Sequence, residues 1–173
     1  MRLNKRGFGK KAQLMGMPFQ MIFTLILIAI FLVVGFIAIN YVLDWQKQSQ
    51  VALFKSELQN KITELWSKEA ADFTYTGTLP SQIKYLCITN INANINQNAT
   101  NQTKQIWNDI TIFKGQNKNL FFWPLQKDFS ASNLEHLNLL DSNLPKPYCI
   151  KNSDKISIRL VKNADEALVR IVP

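Results

Sequence analysis

Hydrophobic and polar positions divide this chain into three stretches of different period. Phe19–Leu43 has no period at all: its 25 residues carry no charge, and only Gln20, Thr24 and Asn40 interrupt the apolar run. Side chains charged at neutral pH are missing as far back as Ala12. As a helix rising about 1.5 Å per residue, Phe19–Leu43 is about 37 Å long, enough to cross roughly 30 Å of hydrocarbon with some tilt. The ~130 residues that follow are too few to enclose such a helix on every side. The pattern therefore predicts a membrane-spanning helix rather than the buried helix of a large core.

Asp44–Phe73 contains neither Gly nor Pro, and its pattern changes to period 3.6. Val51, Phe54, Leu58, Ile62 and Leu65 recur at helical spacing, with Trp66 adjoining, and Lys47, Lys55, Gln59 and Lys61 fall on other faces. Lys61, Glu64, Lys68 and Asp72 stand at i,i+3 and i,i+4 spacing, the geometry of weak helical ion pairs. Tyr41 and Trp45 lie where an aromatic belt would meet the outer membrane interface. These signs predict one continuous helix of about 55 residues, on the order of 80 Å long, starting at Pro18, whose fixed φ and missing N–H suit a first turn. Its apolar stripe needs a cover, either the domain that follows or further copies of the helix. Two clean heptads are too few to specify a coiled coil.

Gly77 and Pro80 in Thr74–Pro80 are breakers, and beyond them the period falls to two. Ile83–Cys87 reads as a strand, running on through Ile88–Asn96, where Ile91, Ala93 and Ile95 alternate with asparagines. Asn98–Lys104 reads as a loop. Ile106–Lys114 and Asn119–Leu125 flank Gly115-Gln-Asn117 as a hairpin, with Pro124 marking its end. Leu134–Leu140 is ambiguous and fits a helical turn. Tyr148–Lys151, Lys155–Lys162 and Ala167–Val172 read as strands, the last two forming a hairpin. The expected class is α+β, a long N-terminal helix followed by a small, mostly antiparallel β domain of about six strands. The expected divisions are a leader (1–12), a transmembrane helix (13–43), an amphipathic extension (44–73) and a β-rich domain (74–173).

Charge sets the expected orientation. Arg2, Lys5, Arg6, Lys10 and Lys11 precede the span with no acid among them, whereas all twelve acidic residues follow it. Basic residues packed against the start of a span hold it in the cytoplasm, which places the C-terminal domain outside. The leader accounts for most of the +8 formal charge, so the basic pI is weak support for nucleic-acid binding, and no nucleic-acid partner is expected. Cys87 and Cys149 have no metal-like spacing. In an oxidising exterior they would close a loop of 62 residues, worth about 4 kcal/mol in the chain-entropy model; in a reducing compartment they would be two core thiols. Asn98-Ala-Thr100 and Asn101-Gln-Thr103 are adjacent N-glycosylation sequons, relevant only on an extracytoplasmic face.

Catalytic chemistry has little to stand on. The single histidine, His136, fits a surface or packing role, and no zinc-protease, paired-cysteine, phosphate-loop or dinucleotide motif is present. Phe121-Phe122-Trp123 suits a strand core better than a ligand platform. No enzyme activity, cofactor or bound metal is expected.

Lys10-Lys11-Ala12-Gln13-Leu14, a basic pair and a small residue before the apolar helix, resembles the class III signal of archaeal type IV pilins and archaellins. The resemblance implies cleavage between Ala12 and Gln13 by a membrane-embedded prepilin peptidase. Gly16 and Pro18 depart from the pattern, and Met17 stands where bacterial pilins carry a glutamate. The chain also resembles a group of archaeal single-pass membrane proteins in Gly16-Met-Pro-Phe-Gln-Met-Ile-Phe23, in Leu79–Cys87 and in Pro147-Tyr-Cys149. That likeness implies an archaeal source, an outward β-rich domain and a Cys87–Cys149 bridge, but brings no activity with it. Two functions follow as expectations. One is a pilin-like subunit anchored in the bilayer and assembling with copies of itself into a filament or membrane platform. The other is a permanently anchored accessory or adhesion protein whose outer domain binds a partner.

Overall fold

A computed structural model describes residues 16–96, 99–126, 130–140 and 144–173. Its first element, α1, is a helix over Gly16–Trp66. Two compact units divide within it, one ending at Trp45 and the other comprising Gln46–Pro173. In the first unit every residue from Phe19 to Trp45 is exposed. An 18-residue window there has a mean hydropathy of 3.2 with none of it buried, so this segment is a candidate membrane span by length and composition. The polar groups it carries are partly satisfied within the helix, as Thr24 Oγ1 donates to the Gln20 carbonyl at 2.8 Å.

The second unit buries the amphipathic stripe. Val51, Phe54, Leu58, Ile62 and Leu65 are all nearly inaccessible, and the β domain of the same chain covers them. Of the two covers the stripe allowed, the structure uses the intramolecular one. Helix α1 stops at Trp66, however, seven residues short of the expected Phe73. The Lys68 amide bonds the Leu65 carbonyl at 3.1 Å, tightening the last turn, and Lys162 Nζ donates to the Lys68 carbonyl at 2.7 Å, placing a cation at the negative end of the helix. Strand β1, Ala71–Gly77, then pairs along its whole length with β7, Ile156–Lys162. Those seven cross-strand positions outweigh the helix propensity of a segment that lacks any breaker. The expected Lys68–Asp72 pair is lost with that turn. Asp72 instead receives Arg159 through Nη2 at 2.6 Å and Nε at 3.1 Å. Glu64 keeps both its lysines, Lys61 at 2.7 Å and Lys68 at 2.8 Å.

Eight strands are found among the described residues, forming two four-stranded sheets. The first has the order β1-β7-β8-β5, where β8 is Val169–Val172 and β5 is Leu137–Asn138; only β5–β8 is parallel. The expected C-terminal hairpin is therefore present, and the short β5 replaces the helical turn considered for Leu134–Leu140. The second sheet has the order β4-β3-β2-β6 and is antiparallel throughout: Ala131–Ser132, Leu120–Trp123, Tyr85–Ile88 and Tyr148–Lys151. Ile156, Ile158, Leu160, Val169 and Ile171 of the first sheet join Leu86, Ile88, Leu120 and Phe122 of the second in one core against the α1 stripe.

Two further expectations fail in the middle of the chain. Ile88–Asn96 does not continue the strand beyond Ile88 but forms turns and irregular backbone, although Ile91 stays buried and Asn92 exposed. Ile106–Lys114 is no strand and makes no hairpin with β3. It lies in α2, Asn101–Ile110, and a following 3₁₀ turn at Thr111–Phe113. Thr100 caps α2 by accepting the Thr103 amide at 3.2 Å. Ile106 and Ile110, four residues apart, are its buried face. Gly115 takes φ +83° in the turn that follows, so that glycine serves a turn after a helix rather than a hairpin.

Candidate functional site

Alternation in the second sheet makes two different faces. Leu86, Phe122 and Ile150 point to the main core, whereas their neighbours Cys87, Phe121 and Cys149 pack with Ile106 and Ile110 in a separate cluster under α2. Cys87 and Cys149 are directly opposed in the β2–β6 register and joined by a disulfide. The bridge thus links two adjacent strands at the centre of the helix-covered face and leaves no free cysteine.

Two residues further along the ladder, past the Leu86–Ile150 pair, lies the row Trp123, Tyr85 and Lys151, opposed across β3, β2 and β6. Matching positions across neighbouring strands share a face, so this row continues the face that α2 covers. It lines a cleft of about 800 Å³, with Lys84, Gln102 and Asp154 among its other walls. Both rings are tied to α2: Tyr85 Oη donates to Gln102 Oε1 at 2.9 Å, and Trp123 Nε1 donates to Asp109 Oδ2 at 2.8 Å. Their centroids are 6.0 Å apart with planes at 62°, an edge-on contact. The adjoining loop is clasped by Asn152, whose Nδ2 donates to the Ile83 carbonyl at 2.8 Å and the Pro80 carbonyl at 3.1 Å. Lys84 and Lys151 are both exposed, and Lys84 Nζ reaches the Ser81 carbonyl at 3.2 Å.

Other predicted residues lie elsewhere. Asn101 is the first residue of α2 and exposed, so its sequon occupies a helical turn rather than the expected loop; Asn98, Ala12 and Gln13 lie outside the described residues. His136 stacks on Trp66, ring centroids 3.9 Å apart and planes at 11°, in a left-handed conformation with φ 63°. Phe121 and Phe122 are core, and only Trp123 of that triplet lines the cleft. Among the described residues no three His, Cys, Asp or Glu side chains approach closely enough to hold a metal.

The cleft was not singled out from sequence. Each strand of its floor is legible locally, but the β3-β2-β6 order joins segments far apart in the chain. One signal does carry the register: if Cys87 opposes Cys149 in an antiparallel pair, Tyr85 opposes Lys151 two residues away. In comparisons with known proteins, no family model, curated protein or solved structure matches this chain.

Proposed function

We propose that this protein is a non-enzymatic, pilin-like structural subunit, held in the bilayer by Phe19–Leu43 and assembling through that helix with copies of itself into a filament or membrane platform. The observation that carries the reading is the division of α1. Its amphipathic stripe is covered by the β domain, while the apolar residues before it are all exposed among the described residues. The stripe is therefore closed to other copies, whereas the composition of the apolar segment suits packing against lipid or like helices. The basic leader supports a cytoplasmic N-terminus and an external β domain. Lys10-Lys11-Ala12-Gln13 supports processing by a prepilin peptidase.

The test is the intact mass or N-terminal sequence of the chain extracted from its native membrane. A chain beginning at Gln13 and recovered in homo-oligomers is expected. A monomer that still begins at Met1 removes the proposal. The cleft favours a second reading, a permanently anchored accessory or adhesion protein, which keeps Met1 and cross-links to a different molecule.

A further inference from the structure

We propose that the cleft over Trp123, Tyr85 and Lys151 binds an acidic saccharide. Its volume, about 800 Å³, falls in the range of small-ligand sites, roughly 300–1,000 Å³. Its lining is unlike a lipid or drug pocket, because amide, hydroxyl and ammonium groups interleave with two aromatic rings. A sugar ring presents the same alternation, C–H faces that pack on aromatic carbon and hydroxyl edges that need donors and acceptors.

The two rings are preorganised. Tyr85 and Trp123 are held in place by Gln102 and Asp109, so little ordering remains to be done when a ligand arrives. Charge specifies the acidic member of the class. Lys84 and Lys151 are both exposed at the cleft, against Asp154, the one carboxylate among the described residues that line it. The excess positive charge favours a carboxylate-bearing sugar over a neutral one. The cleft lies wholly within Gln46–Pro173, so the inference stands whatever becomes of the leader.

Titration calorimetry of the full chain in detergent micelles, made in a host that adds no N-glycans, tests it. The probes are a galacturonic acid hexamer and neutral cellohexaose. The uronate hexamer is expected to bind, to weaken as salt is raised, and to lose at least tenfold in affinity in a Lys84→Glu/Lys151→Glu variant. Both lysines are exposed, so an unchanged melting temperature will separate lost binding from lost fold. Failure of both probes to bind at millimolar concentration overturns the proposal, as does uronate binding that the double variant leaves intact. Cellohexaose binding as tightly as the uronate overturns the assignment to an acidic sugar.

Discussion

Phe54 and Tyr75 meet edge to face, with ring centroids 5.4 Å apart and planes at 76°, and join the α1 stripe to the first strand of the β domain. Tyr75 Oη also reaches the Phe54 carbonyl at 3.4 Å and Glu57 Oε2 at 3.3 Å. Both residues are buried, so the contact leaves no slack around it.

Gly77 is where that tightness is most exposed to test. A Cβ placed there would lie 2.7 Å from Phe54 ring carbons and from Tyr75 Oη. Because Phe54 is only 2% exposed, its ring has nowhere to go. Gly77→Ala is expected to cost about 1–3 kcal/mol in chemical denaturation, the ordinary penalty of overpacking. A Gly77→Ala/Phe54→Leu double variant should recover part of that loss; strict additivity would contradict the steric account.

Tyr75 also makes alkaline stability predictable in sign. Burial, reinforced by the Glu57 carboxylate, pushes its hydroxyl up to about 12. An unfolded tyrosine ionises near pH 10, so above that pH the unfolded chain sheds a proton that the folded chain keeps. Stability from this group is complete below pH 10 and declines as pH rises toward 12. Tyr75→Phe has no such proton, and its stability should fall less steeply than wild type between pH 10 and 12. Equal slopes would remove the tyrosine from the account.

The disulfide is expected to contribute through the length of chain it closes. A 62-residue separation corresponds to about 4 kcal/mol in the loop-entropy model, and observed losses on removing such a bridge run about 2–5 kcal/mol. Cys87→Ala/Cys149→Ala should lower the denaturation midpoint accordingly and abolish the mobility difference between reduced and non-reduced gels. An unchanged midpoint would mean that strand pairing alone holds β2 against β6.

Thr100 separates a folding role from a sequon. Its side chain caps α2, and it is also the third residue of Asn98-Ala-Thr100. In protein made without glycans, Thr100→Ala should cost about 0.5–2 kcal/mol, while Thr100→Ser should remain close to wild type. Equal stability of the two variants would show that the cap is not limiting.

Leu58 tests which cover protects the stripe. It is fully buried by the β domain, so Leu58→Ala should cost about 2–5 kcal/mol in the thermal or chemical unfolding of that domain. This loss should not depend on protein concentration. A concentration-dependent midpoint would point to cover by other copies instead.

Where one face of an element was chemically plain, the sequence was readable. The charge-free run Phe19–Leu43 is apolar all round and helical, and the Val51–Leu65 stripe and the alternation Ile156, Ile158, Leu160 each state a period that the structure keeps. Residues 106–114 were harder, because Ile106, Trp107, Ile110, Ile112 and Phe113 satisfy a strand pattern almost as well as a helical one. Capping by Thr100 and packing of Ile106 and Ile110 over Cys87 and Phe121 decide for the helix. The missed helix end at Trp66 has the same origin, since nothing local stops the helix and pairing of β1 with β7 does.

By itself, then, the sequence determined that a span-length apolar helix leads into an amphipathic one and that strands follow. Those properties depend on side chains a few residues apart, whose spacing is set by backbone geometry. Only the tertiary structure decided that the stripe is covered from within the chain, that Asp72 answers Arg159, and that Trp123, Tyr85 and Lys151 stand in one row. Each of these needs the register between segments tens of residues apart, and that register is chosen by the burial of the whole domain rather than by any one stretch.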